Sequence, residues 1–243
     1  MGHGWEGGMV NPFEHTTLES RLECELLTCL IMQAGTVISG DKPSSIFNYI
    51  PRRWGISADD ADVMSVAIHA TEVYKKLCES KGMGLEVVGV FDNKIALFAY
   101  NPSLIAELLL DDEKVSLLKS YGYDTSNTTT CINCVCARLN SFYVTRGARP
   151  ISQDAHTSSL RLDIPCEFPH EIGILLGYPI EDVKGFIENA GRDAKCCGQW
   201  KVYSDPRDAK RRFEALKRSQ DRCQKSFFSG VSLRELIESS YVA

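Results

Sequence analysis

The chain has 243 residues, of which 44% are hydrophobic and 24% charged. That balance fits a globular protein and excludes a wholly disordered, collagen-like or low-complexity chain. Lys and Arg number 27 against 32 Asp and Glu, a net charge of −5, so no global positive field recruits nucleic acid.

The first residues, Met1-Gly-His-Gly-Trp-Glu-Gly-Gly8, have neither the basic nor the apolar region of a signal peptide. Glu6 stands where a myristoylation signal needs Ser or Thr. No apolar run reaches the ~18 residues of a membrane span. These features predict a cytoplasmic protein with no membrane association, whose ten cysteines are reduced thiols rather than a disulfide framework.

In chain order, residues 1–13 are Gly-rich and read as a flexible N-terminus; 14–243 read as one domain. Thr16-Thr-Leu-Glu19 has capping-box spacing, and Leu18, Leu22, Leu26, Cys29 and Leu30 then share one helical face. Pro43 is placed to open a short helix through Ile46 and Phe47. Ser57-Ala-Asp-Asp60 caps a helix bearing Val63, Val66, Ala67, Ala70 and Tyr74. Leu85 to Tyr100 reads as a hairpin turning at Asp92-Asn93, followed by a helix from Pro102 and another near Glu113–Ser120. Residues 125–165 read as a Cys-containing, loop-rich insertion. The alternation of Ile172, Ile174 and Leu176 predicts a strand from His170 to Leu176, with a turn at Gly177-Tyr178-Pro179 and a helix from Ile180 to Asn189. Gln199 to Tyr203 reads as a further strand. Asp205 and Pro206 open a long helix, and Ser232-Leu-Arg-Glu235 caps a short terminal one. The expected fold is α/β or α+β: a single domain with a small central sheet of about four strands covered by helices.

Several residue groups carry chemistry. Cys131-x-x-Cys134-x-Cys136, with Cys166, has thiols dense enough to converge on a metal, zinc or iron, with His156 or His170 as further ligands. Cys196 and Cys197, flanked by Arg192, Lys195 and Lys201, read as a reactive thiol pair. His170, at the start of the expected strand, is a candidate acid/base. Lys42, Tyr178, Trp200 and Lys201 are candidate binders of a small anionic ligand, with Lys42 beside a helix N-terminus. Residues 207–225 hold eight Lys or Arg against three acids, a face suited to an acidic protein partner; without interleaved aromatic residues it is poorly suited to nucleic acid. Each group also has a structural reading: core thiols, a loop-fixing histidine, a capped turn, a solvated helix face. Three functions follow: a thiol- or metal-linked binding or redox-accessory protein, an enzyme acting on a small anionic molecule with His170 as acid/base, or a module docking an acidic redox partner through residues 207–225.

The run Phe168-Pro-His-Glu-Ile-Gly-Ile-Leu-Leu-Gly-Tyr-Pro-Ile-Glu-Asp-Val-Lys-Gly-Phe-Ile187 resembles the signature block of an uncharacterised family of anaerobic bacteria, a domain of unknown function. Gly198-Gln-Trp-Lys-Val-Tyr203, Gly40-Asp-Lys-Pro43 and Gly122-Tyr-Asp124 are similar to its other elements. The resemblance brings no reaction or substrate with it. In that pattern the spacer before Phe168 is shorter and lacks the cysteines, so the Cys131–Cys136 cluster departs from it.

Overall fold

A computed structural model of the chain describes residues 17–51, 63–91, 93–148 and 167–241. The expected flexible N-terminus (1–13), the Ser57–Asp60 cap, His156 and Cys166 lie outside the described residues. The first helix, α1 (Leu18–Ile38), is capped one residue later than Thr16. The hydroxyl of Thr17 accepts from the Ser20 N–H at 3.2 Å. Leu22, Leu26 and Leu30 on its inner face are fully enclosed.

The next element corrects the sequence reading. Pro43 precedes a strand, β1 (Ser44–Tyr49), not a helix. Phe47 and Tyr49 point to one face of the sheet and Ile46 to the other, the two-residue period of a strand. After α2 (Val63–Glu79), the expected hairpin forms as β2 (Gly84–Phe91) and β3 (Lys94–Tyr100). β1 and β2 both pair antiparallel with β3, giving the order β1-β3-β2. Every residue from Ile95 to Ala99 is buried, because helices cover both faces. Phe47, Tyr49, Leu85, Ile95 and Leu97 face α1 and α2 in one core. Val88, Ala96 and Phe98 face a second core on the opposite side. Gly84 lies directly against the Tyr100 ring, where a Cβ would come within 1.9 Å of its Cζ.

The second core is built from α3 (Pro102–Leu108), α4 (Asp112–Ser120) and α5 (Thr128–Val144). α5 overturns the loop-rich reading of its stretch. Asn127 and Thr130 form a reciprocal capping box at its start, and Cys131, Cys134, Val135, Arg138 and Leu139 bury one stripe. The expected strand from His170 is likewise absent: His170–Gly173 is one 3₁₀ turn, and Ile172, Ile174 and Leu175 are all buried without sheet pairing. α6 (Ile180–Glu188) follows as expected.

The strand near Tyr203 shrinks to a two-residue ladder, β4 (Cys196–Cys197) with β5 (Lys201–Val202). It forms its own small sheet rather than joining the hairpin, so the expected four-stranded sheet is three strands plus this separate pair. Trp200 and Val202 pack with Ala209 of α7 (Pro206–Phe228), and Tyr178 belongs to both this cluster and the second core. That shared residue makes one domain of the mixed α+β fold. α8 (Leu233–Tyr241) closes the first core, its capping box formed by Ser232 and Glu235. Among the described residues no helix is long and apolar enough to cross a membrane.

Candidate functional site

Residues 168–204 wrap around one buried carboxylate that sequence reasoning overlooked. Asp182, in the first turn of α6, is 1% exposed. Its Oδ2 accepts from the Trp200 indole at 2.7 Å, and its Oδ1 accepts from the main-chain N–H groups of Tyr203 and Ser204, each at 2.7 Å. Burial alone would raise its pKa, but these donors outweigh it and hold the carboxyl below its usual range. One carboxylate thereby ties the β4–β5 ladder to α6 and fixes the Trp200 ring. It also places negative charge at the start of α6, where the helix dipole favours it.

Trp200 in turn carries the rest. Its ring stacks on Tyr178, with centroids 4.9 Å apart, and meets Phe213 of α7 edge-on at 4.5 Å. Lys42 Nζ lies 5.5 Å from the centroid of Tyr178. Three of the four expected ligand-binding residues thus come together from separate segments. The turn before β1 and the turn at Gly177 are locked to one another. Gly177 has φ +80°, its Cα faces Pro43 so closely that a Cβ would sit 2.8 Å from Pro43 Cδ, and the Ser44 hydroxyl donates to the Leu175 carbonyl at 2.6 Å. A positive φ and that close approach both call for glycine. Burial pushes the Lys42 amine down to about 8, and among the described residues no carboxylate compensates the lost water.

Lys201, the fourth residue, faces elsewhere. Its Nζ donates to the Gly191 carbonyl at 2.5 Å and lies 5.8 Å from the Phe186 ring centroid. Phe186 belongs to a second aromatic row with His170, whose ring packs against Phe186 at 4.6 Å and Phe168 at 5.5 Å. Partial burial lowers the His170 pKa, with Glu171 and Glu167 opposing. No described contact joins His170 to Lys42.

Glu171 turns inward instead. It accepts from the Tyr123 hydroxyl at 3.1 Å and pairs with Arg138 of α5 at 3.7 Å, both charges buried. The Arg138 guanidinium lies 4.5 Å over the Tyr123 ring and also donates to the Tyr121 carbonyl. No pattern in the sequence marks this pair, since its partners are 33 residues apart and only Glu171 lies in the Phe168–Ile187 block.

The thiols are distributed rather than gathered. Cys131 and Cys134 share the buried face of α5, and the Asp124 N–H donates to Cys134 Sγ at 3.4 Å. Cys136, two positions on, faces the sheet near Glu86 and Tyr100. Burial raises the Cys131 and Cys136 thiols to about 12, so both hold their protons at neutral pH. Among the described residues no three His, Cys, Asp or Glu side chains are grouped to hold a metal ion. Cys196 and Cys197 sit on β4, half-buried and exposed respectively. Of their basic neighbours, Lys195 donates to the Ser204 carbonyl, Lys201 to that of Gly191 and Arg192 to that of Asn189, so these cations are turned to main chain.

The elements from β1 to α7 fall inside residues 30–237, the stretch that matches a family model described as Protein of unknown function (DUF3793). The chain belongs to the DUF3793 family. No curated protein and no solved structure matches it. Lys42, Tyr178, Asp182 and Trp200 all lie within the DUF3793 match.

Proposed function

We propose that this DUF3793 protein binds a small anionic molecule with a planar face at Lys42, Tyr178 and Trp200. The observation that carries the reading is the stack itself: an ammonium over a phenol ring, the phenol over an indole, and no carboxylate paired with the ammonium among the described residues. A cation without an internal counter-charge is a ready partner for an external one, and aromatic faces favour flat ligands. This reading is preferred to acid/base chemistry at His170, which faces a different aromatic row. It is preferred to the thiol-linked reading because Cys131, Cys134 and Cys136 are packed in a helix and a core. The test uses benzoate as a planar anion and the emission of Trp200 in a Trp5→Phe, Trp54→Phe background. Saturable quenching is expected, with affinity reduced roughly tenfold by Lys42→Met through loss of one charged contact. Quenching that is absent, or equal in both proteins, overturns it.

A second reading is favoured by α7. All eight basic residues between Arg207 and Lys225 are exposed, and Arg207, Lys210, Arg212, Arg218 and Lys225 have no ion pair among the described residues; Arg211, Lys217 and Arg222 pair with Asp208, Asp221 and Asp41. At 1.5 Å per residue, Arg207, Arg211, Arg218, Arg222 and Lys225 form a stripe ~27 Å long opposite the buried side. Glu214 and Asp221 lie within that face, which disfavours a phosphate backbone and suits an acidic protein of mixed charge. Salt-sensitive binding of a poly-glutamate peptide, abolished by Arg207→Glu with Arg218→Glu, is the expected result. Binding unaffected by those changes refutes it.

A further inference from the structure

We propose that Lys42 is a carbonyl-capturing amine, which condenses reversibly with an anionic aldehyde or 2-oxo acid to form an imine against the Tyr178–Trp200 face. This deepens the binding reading above and rests on it. The geometry singles Lys42 out among the half-buried lysines of the described residues. Lys75 is held by Glu86, Lys81 by Glu238, Lys114 by Asp111 and Lys184 by Glu113. Lys94 lies on the hairpin turn over Phe91. Lys42 is the one placed over the ring of Tyr178, itself stacked on buried Trp200, and it has neither carboxylate nor hydrogen-bond acceptor for its amine among the described residues. Even the adjoining carboxylate is engaged elsewhere: Asp41 accepts from the Ser219 hydroxyl and pairs with Arg222.

Two chemical consequences follow. A lysine must lose its proton before its nitrogen can attack a carbonyl, and desolvation without a counter-charge is how proteins make that loss easy. Burial lowers this amine to about 8, so a useful fraction is neutral under mildly alkaline conditions. On the ring that the amine overlies, the Tyr178 hydroxyl also has no hydrogen-bond partner among the described residues, and burial raises its pKa. It therefore keeps its proton and can donate it. The main chain that carries the pair is fixed: the Lys42 N–H donates to the Thr36 carbonyl at 3.1 Å, and the Tyr178 N–H to the Gly173 carbonyl at 2.9 Å.

In the condensation, the Lys42 nitrogen forms a bond to the carbonyl carbon and the carbonyl π electrons move to its oxygen. Of the two protons on the neutral nitrogen, one passes to the oxygen and one stays; the phenol gives the oxygen its second proton, one water leaves as the carbon–nitrogen double bond forms, and the phenolate regains a proton from solvent. Nothing is oxidised or reduced. The protonated imine keeps the positive charge that pairs with the anionic group of the bound molecule.

The test traps the imine. Full-length protein is incubated with glyoxylate and cyanoborohydride, which reduces the imine to a stable secondary amine, and each lysine is quantified by peptide mass spectrometry. Lys42 is expected to be labelled roughly tenfold faster than the exposed Lys76, Lys119 and Lys210, since burial favours its neutral amine and the aromatic face holds the carbonyl compound beside it. Tyr178→Phe is expected to slow labelling of Lys42 without altering the far-UV spectrum or the rates elsewhere. Labelling of Lys42 no faster than of the exposed lysines overturns the proposal. Benzoate has no reactive carbonyl, so its Lys42-dependent quenching of Trp200 reports binding alone. Quenching with uniform labelling refutes the amine chemistry and leaves the binding site standing; absence of quenching refutes the site itself.

Discussion

Removing the Asp182 carboxylate is the most informative perturbation of the fold around the site. In Asp182→Ala the Trp200 indole N–H and the main-chain N–H groups of Tyr203 and Ser204 lose their common acceptor. A buried donor left unpaired costs about 1–3 kcal/mol, and three that share one partner do not add fully. A net loss of about 4 kcal/mol is expected, which for a domain of this size lowers the melting temperature by roughly 10 °C. Asp182→Asn is the graded control. Its amide oxygen can still accept from the two main-chain donors, but its NH₂ then faces the indole N–H, so the loss is about 2 kcal/mol. The pH dependence carries a sign. Because the folded-state carboxyl is held below its ordinary value of about 3.8, its stabilisation is fully present above that value and lost as pH falls through the lower, folded-state pKa. The difference between wild type and Asp182→Asn therefore shrinks at acid pH. Urea titrations followed by Trp200 emission and by far-UV circular dichroism measure both quantities. An Asp182→Ala protein within about 1 kcal/mol of wild type would refute the view that one carboxylate organises this block.

Breaking the buried Glu171–Arg138 pair with Glu171→Gln strands a guanidinium in the second core and is expected to cost about 3 kcal/mol, measured by denaturant melts. The double variant with Arg138→Met is expected to lose less than the sum of the two single losses. For Lys42 the sign is opposite to that of Asp182. Its amine is lowered from 10.5 to about 8, so folding carries a penalty below about pH 8 that fades as pH rises towards 10.5. Lys42→Met is therefore expected to be more stable than wild type at neutral pH, with the advantage vanishing in alkali, as thermal melts across that range would record. Iodoacetamide is expected to modify exposed Cys24 and Cys197 well before buried Cys78, Cys131 and Cys134; early modification of the α5 thiols, read by mass spectrometry, would refute their placement in the core.

The elements legible in the sequence are those whose local signals agree with their surroundings. α7 has a capping Asp205, a helix-starting Pro206 and one apolar stripe, and the β2–β3 hairpin has apolar runs on both sides of a turn. The misreadings arise where a local signal has two meanings. Pro43 fixes φ equally well before a strand, and only the pairing with β3 decides that Ser44–Tyr49 is extended. The apolar run Ile172–Leu176 is buried on all sides, and a short run of that kind has no period to read. In α5, Thr, Cys, Asn and Val are weak helix formers, yet the Asn127–Thr130 capping box and the buried stripe through Leu139 outweigh them. The Lys42–Tyr178–Trp200 convergence was half legible: the residue types stood out, but the lock between Gly177 and Pro43 that brings them together is a tertiary fact. Asp182 stayed hidden because two of its three partners are main-chain groups, which leave no trace in side-chain identity, and the third, the Trp200 indole, lies 18 residues away.

The strand order β1-β3-β2 also has a consequence for how the molecule assembles. β2 and β3 are neighbours in sequence and can form as a hairpin on their own, whereas β1 must return to β3 across about half a hundred residues, closing a loop whose entropy cost is met only by the completed sheet. Ser44, at the head of β1, is also the residue whose hydroxyl seizes the Leu175 carbonyl, and Lys42 lies two positions ahead of it. Arrival of β1 therefore delivers the amine to its ring at the same moment that it finishes the sheet. In refolding, the hairpin is expected to form early and the Lys42–Tyr178–Trp200 stack late, so a chain halted before that step would hold most of its secondary structure without that stack.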